Sequence, residues 1–213
     1  MFIKINDIKK TYPNLPIKGI IHIGAHEAEE YEDYKEVSVD KIIWVEANPD
    51  LISYLENKFT GLNNIKIFNE AIFDEEKIVS FKISNNLQSS SILNLKEHKK
   101  LFPDVHYVKE IQTKTKRFDN LCIENNIDIN DYNFLNVDVQ GADLNVILSF
   151  GDLLNKIDFI YSEVNTIEVY EGCHTIEQFD KVMLDKGFER VMTHIYHGGG
   201  WGDALYIKSS LLS

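Results

Sequence analysis

The chain has 213 residues, 44% of them hydrophobic and 26% charged, with a formal charge of −12 from 22 Lys plus Arg against 34 Asp plus Glu. Those proportions exclude a disordered or collagen-like chain, and the length suits one domain. The acidic balance argues against non-specific nucleic-acid binding and against docking on an anionic membrane, since both need clustered positive charge.

The first residues contain neither a long apolar stretch nor a small-residue cleavage site, so they do not read as a signal peptide. No apolar run reaches the ~18–20 residues of a spanning helix. Residues 19–24 read as a buried strand ending on a turn glycine, and residues 26–37 as an acidic helix. Residues 42–45 form a second buried strand. Asn48 caps a helix that runs to about Lys58, with Pro49 at its first position. Residues 65–68 form a third strand. From about 74 to 115 the pattern changes. Residues 78–83 and 107–115 alternate with period two, as half-exposed antiparallel strands do. Between them lie a polar stretch (84–91) and a charged one (96–100), so this region reads as a hairpin-like insertion with a mobile loop. Helices over 117–126, 142–150 and 175–186 then alternate with strands at 134–137 and 159–163, and strands at 188–193 and 204–207 close the chain. Thr175 and Gln178 have capping-box spacing. Apolar strands alternating with helices predict an α/β fold, with a parallel sheet covered on both faces. The two cysteines, Cys122 and Cys173, give neither a disulfide framework nor a zinc spacing, which points to a reduced, cytoplasmic setting.

Such sheets bind ligands at the carboxyl ends of their strands. Gly24 follows the first strand, and Glu46 stands 22 residues later at the tip of the second. An acid there is placed to accept hydrogen bonds from ribose hydroxyls. A tight structural turn beside a surface glutamate is the plainer account of the same spacing. A dinucleotide fingerprint needs glycines where His26 and Glu29 stand, and Glu27, Glu29 and Glu30 would repel a pyrophosphate. S-adenosylmethionine lacks phosphate and carries positive charge, so it suits this turn better than NAD.

Residues 22–27 (HIGAHE), 44–49 (WVEANP), 88–93 (QSSSIL), 134–143 (FLNVDVQGAD), 162–165 (SEVN), 170–172 (YEG) and 200–206 (GWGDALY) recur in one order. This ordered set resembles the FkbM-type family of S-adenosylmethionine-dependent methyltransferases, across residues 20 to 208. Ala28 stands where related chains often have Gly, which implies a slight shift of the first helical turn. The resemblance implies a Rossmann-like class I methyltransferase sheet, mostly parallel with an antiparallel last strand. It implies one domain over 1–213, with an insertion or lid at about 74–115. Members are largely O-methyltransferases acting on sugars or on hydroxyls of secondary metabolites. Carried over, Gly24 and Ala25 would line the methionine part of the cofactor and Glu46 would hold the ribose; His26, flanking the first turn, is a candidate contact to cofactor or substrate, and Ala47 a further cofactor-binding candidate. Glu70 and Ala71 would border the adenine, Ser90 and Ser91 would close over the cofactor, and Asp138 would sit beside the reacting centre.

A sugar hydroxyl is neutral at pH 7 and needs a general base, or a metal, as the new bond forms. The candidates at strand tips are Asp138, Glu163 and His197. His197 leads, because histidine titrates near neutral pH and three glycines follow it; a solvated loop histidine is the competing account. Gln140, Asn165, Tyr170 and Trp201 are the candidate acceptor contacts, Trp201 by stacking on a sugar face. Asp138, Asp143 and Glu163 offer hard oxygens suited to magnesium, but no ligand spacing compels a metal site and none is favoured. His22, inside an apolar strand, reads as a satisfied core histidine, and Cys173 with His174 as loop residues. The leading expectation is a sugar O-methyltransferase acting on a glycan or glycan precursor. A small-metabolite or protein acceptor, an inactive cofactor-binding module and a nicotinamide dehydrogenase are the alternatives. The oligomeric state is left open.

Overall fold

The computed structural model describes residues 1–212. The chain runs α1 (Ile5–Thr11), β1 (Ile20–Ile23), α2 (Tyr31–Glu36), β2 (Ile42–Glu46), α3 (Pro49–Lys58), β3 (Ile65–Asn69), β4 (Ala71–Ile72), β5 (Ile78–Ser84), α4 (His98–Leu101), β6 (Tyr107–Lys116), α5 (Phe118–Glu124), β7 (Phe134–Val137), α6 (Asp143–Leu148), β8 (Phe159–Asn165), α7 (Ile176–Asp185), β9 (Phe188–Ile195) and β10 (Trp201–Lys208). Seven strands form one sheet in the order β3-β2-β1-β7-β8-β10-β9. It is parallel except for β10, which runs antiparallel to both neighbours. This is the expected sheet.

β1, β2, β7 and β8 bury every residue, because helices cover both faces. One face packs Ile20, Trp44, Phe134 and Phe159 against Ile5, Ile8, Tyr34 and Leu55 of α1, α2 and α3. The other packs Ile21, Val45, Leu135 and Ile160 against Leu121, Ile147 and Phe179 of α5, α6 and α7. Each such side chain contributes ~1.5–3 kcal/mol of burial. His22 lies in this core with its ring 4.9 Å from that of Trp44, and its Nδ1 is 3.0 Å from the Tyr34 hydroxyl.

Two elements depart from expectation. α1 escapes the strand–helix alternation, although its buried Ile5 and Ile8 are spaced for one helix face. The helix expected from residue 26 begins only at Tyr31, because His26 (φ 45°) and Ala28 (φ 53°) take left-handed backbone that a helix cannot use. Ala28 therefore belongs to a turn ahead of the helix, in the conformation a glycine adopts without strain.

A second, three-stranded sheet, β4-β6-β5, forms beside the main one, and its β5 and β6 make the expected antiparallel pair; its β4 lies ahead of residue 74. The connection between them, expected to be mobile, is tied down. Lys96 and His98 donate backbone N–H groups to the Val169 carbonyl at 2.9 and 3.1 Å, and Glu171 N–H donates to the Asn94 carbonyl at 2.8 Å. In the main sheet the chain moves outward from β1 to β2 and β3, then returns to β7 on the other side. That reversal opens a crevice at the carboxyl ends of β1 and β7.

Candidate active site

The crevice is a cleft of about 510 Å³ at the tips of β1, β2, β7 and β8, roofed by the β5–β6 connection. Gly24 ends β1 with φ +90°, and a Cβ there would lie 1.8 Å from the Asp138 carbonyl oxygen. The glycine is thus required by the close passage of the loops after β1 and β7, which is a stronger demand than ligand access. Gly24 and Ala25 donate N–H groups to the Val45 carbonyl at 2.9 and 3.0 Å.

Glu46, at the tip of β2, is 7% exposed and accepts backbone N–H groups on both oxygens, from His26 at 2.8 Å and Asn48 at 2.7 Å. Burial raises its pKa, and the two N–H donors oppose that rise. His26 Nδ1 pairs with Glu29 at 2.9 Å, which raises the imidazole pKa and holds Glu29 down at about 2. His26 Nε2 is buried and has no partner among the described residues.

At the other end of the cleft, Gln140 organises an acid pair. Its amide donates to Asp138 at 2.7 Å and to Glu163 at 2.8 Å, while its carbonyl oxygen Oε1 accepts the Tyr170 hydroxyl at 2.6 Å. Asp138 is exposed on the cleft wall. Loss of water pushes its pKa up to about 6, with Asp203 and Glu30 adding repulsion and the Gln140 amide opposing. Glu163 is pushed well above the ordinary carboxyl range by burial and by its acidic neighbours. Asp203 stands opposite Glu163 in the β8–β10 register and accepts the Phe2 backbone N–H at 2.6 Å and the Tyr161 hydroxyl. Asp143 is spent on structure, since its carboxylate accepts N–H groups of Val139 and Gly141, each at 3.0 Å. Burial drives its pKa to about 7.

The lining carries seven carboxyl groups (Glu29, Glu30, Glu46, Glu70, Asp138, Glu163 and Asp203) and no lysine or arginine among the described residues. Glu70 is partly neutralised by Lys116, which lies outside the lining, at 2.8 Å. No group of three His, Cys, Asp or Glu among the described residues is arranged to hold a metal ion.

Of the residues singled out from sequence, Gly24, Ala25, His26, Glu46, Ala47, Glu70, Ala71, Ser90, Asp138, Gln140, Glu163, Tyr170 and Trp201 all line this one cleft. Three do not. Ser91 is buried behind the roof, its hydroxyl donating to the Gln140 carbonyl at 2.8 Å, so it anchors the roof instead of facing the cleft. Asn165 is the buried last residue of β8, bridged to Thr175. His197 is exposed on the β9–β10 turn, outside the lining of the cleft. Sequence reasoning passed over Asp203 and His98. An acid inside the apolar run of 203–207 was the available signal for the first; nothing local marked the second.

A family model described as the methyltransferase FkbM domain matches residues 22–190. The 2-O-methyltransferase NoeI of Sinorhizobium fredii (strain NBRC 101917 / NGR234) is 27% identical over 165 residues, which cover 74% of this chain and 67% of that protein. Among solved structures, magnesium protoporphyrin IX methyltransferase (ChlM) from Synechocystis PCC 6803, with bound SAM, is similar at a TM-score of 0.52 and 9% identity, over 95% of this chain and 76% of its own. M. capricolum TrmK, in complex with S-adenosyl-homocysteine, is similar at a TM-score of 0.51 and 9% identity, over 97% of this chain and 70% of its own. At such identities the two structures share the fold.

Proposed function

This chain belongs to the FkbM methyltransferase family, and from that premise we propose that it transfers a methyl group from S-adenosylmethionine to a sugar hydroxyl of a glycan or glycan precursor. One observation carries the reading: the cleft at the switch point presents seven carboxyl groups and no lysine or arginine among its described residues, and its Met1 ammonium and His26 are each paired with a glutamate. That field attracts a cationic sulfonium nucleoside, tolerates a neutral polyol and repels phosphate.

The residues present fit this cofactor. Glu46 is at the strand tip where ribose hydroxyls are held, and the buried, unpartnered Nε2 of His26 offers a polar contact in the same end of the cleft. Gly24, Ala25, Ala47, Glu70, Ala71 and Ser90 would enclose the rest. When bound, S-adenosylmethionine supplies an electrophilic methyl carbon on a positively charged sulfur.

The chain's own task is then to hold an acceptor oxygen in line and to take its proton. Asp138 takes this role in place of His197. With a pKa near 6 it is ionised at pH 7, yet more basic than an ordinary aspartate. Glu163, raised well above the ordinary carboxyl range by burial, stands beside it as a hydrogen-bonding partner for the acceptor. Trp201 stacks with Tyr196 at 5.3 Å and offers an apolar face to a sugar ring. The 2-O-methyltransferase relative supports oxygen as the atom methylated.

The test pairs calorimetry using S-adenosylhomocysteine with transfer of a labelled methyl group to glycan, protein and RNA panels. Binding of the nucleoside and label in glycans are expected. Label in protein or RNA, with none in glycans, overturns the acceptor class. A cleft that does not bind S-adenosylhomocysteine overturns the whole reading.

A further inference from the structure

The roof of the cleft carries a polar side chain without a partner. Asn86, Gln88, Ser89 and Ser90 line the cleft from the same segment, and each has a hydrogen bond within the protein. His98 also lines the cleft and is only 5% exposed, but its Nδ1 is buried without a partner and no bond to Nε2 is formed among the described residues. The ring is nonetheless held in place. The His98 backbone N–H donates to the Val169 carbonyl, and the imidazole packs between Phe102 (centroids 5.0 Å apart) and Tyr170 (5.5 Å). The Tyr170 hydroxyl in turn reaches Gln140 and, through it, Asp138 and Glu163. His98 is thus linked to the acid pair through one aromatic ring and the Gln140 amide.

A buried polar group left unpaired destabilises the fold, and a fixed one that lines a cleft is relieved when a ligand reaches it. We propose that His98 is an acceptor-binding residue: a ring nitrogen accepts a hydrogen bond from a second hydroxyl of the sugar, not the one methylated, and so fixes which face of the ring meets the cofactor. This assignment rests on the sugar reading above and names how the acceptor is gripped. Burial lowers the His98 pKa, which keeps the imidazole neutral and able to accept at pH 7.

The test uses the full chain saturated with S-adenosylhomocysteine, titrated calorimetrically with the methyl glycosides of glucose, galactose, mannose and rhamnose. At least one glycoside is expected to bind. His98→Phe, which keeps a flat ring and removes both nitrogens, is expected to weaken that Kd about tenfold, the worth of one hydrogen bond. His98→Asn is expected to recover part of the loss. Both variants should hold S-adenosylhomocysteine within about twofold of the wild type. An unchanged glycoside Kd in His98→Phe, or no glycoside bound by the wild type, overturns the proposal. Should the Phe variant not fold, the ring-nitrogen NMR signals of His98 in the wild type decide, since a bound glycoside must move them. Failure of S-adenosylhomocysteine to bind would strike the methyltransferase reading instead; the same titration of the chain alone would still report on His98.

Discussion

Gln140 is the side chain on which the acid end of the cleft depends. It adopts φ 58°, so a glycine there keeps the backbone and deletes only the amide. That amide stabilises the ionised forms of Asp138 and Glu163 and lowers both pKa values. In Gln140→Gly both carboxyls rise further, so the acid limb of the pH–rate profile should move to higher pH. Activity should then fall about tenfold more at pH 6 than at pH 8. A profile that keeps its shape would remove Gln140 from any role beyond packing. Gly24 makes a stability prediction. Gly24→Ala must accept a left-handed backbone and a Cβ 1.8 Å from the Asp138 carbonyl oxygen. The expected loss exceeds ~2 kcal/mol in urea unfolding. A loss below ~1 kcal/mol would mean that the two loops can part at little cost.

Among the elements, the β5–β6 connection decides how the cleft is closed. Its Leu93 and Leu95 pack with Val169, Tyr170 and Trp201, and Ser91 Oγ, donating to the Gln140 carbonyl at 2.8 Å, joins the roof directly to the acid loop. Removing it costs ~1 kcal/mol, a local sum that leaves the core intact. Ser91→Ala should therefore raise amide hydrogen exchange across residues 85–106 and leave the core strands β1 and β7 protected. Equal loosening everywhere would show that the roof unfolds only with the whole chain. Legibility also divides by element. The capping box of α7 was readable, because Thr175 and Gln178 satisfy each other within one turn. The stretch ahead of α2 is not legible, because Glu27, Glu29 and Glu30 look helical while His26 and Ala28 hold left-handed backbone.

At the scale of the molecule, the cleft's charge sets both stability and selectivity. Asp138 and Asp143 titrate near 6 and 7 in the folded chain, and burial also raises Glu46, Glu163 and Asp203. Unfolded, these groups return to about 4. The folded chain thus binds more protons between those limits, and its stability should increase as pH falls from 7 to 5. His22, lowered to about 4 by burial, and His98, also lowered by burial, oppose this with two groups against five. A Tm lower at pH 5.0 than at pH 7.5 would contradict the balance. Selectivity follows from the same charge: a phosphorylated glycoside should bind more weakly than its neutral parent at low salt, and the gap should narrow as salt is added. Equal affinities at low ionic strength would show that the acceptor does not meet the carboxyls.

Sequence alone determined the α/β alternation, the Gly24–Glu46 spacing and the ordered blocks that mark the family, because each is written in a local period or a short separation. The residues that make the acid end of the cleft lie far apart in the chain. Only the tertiary structure decided that Glu163 and Asp203 face each other across β8 and β10, that Gln140 joins Asp138 to Glu163, and that His98 rather than His197 reaches the cleft. Strand register and the docking of a long connection are settled by packing between distant segments, and no local pattern encodes them.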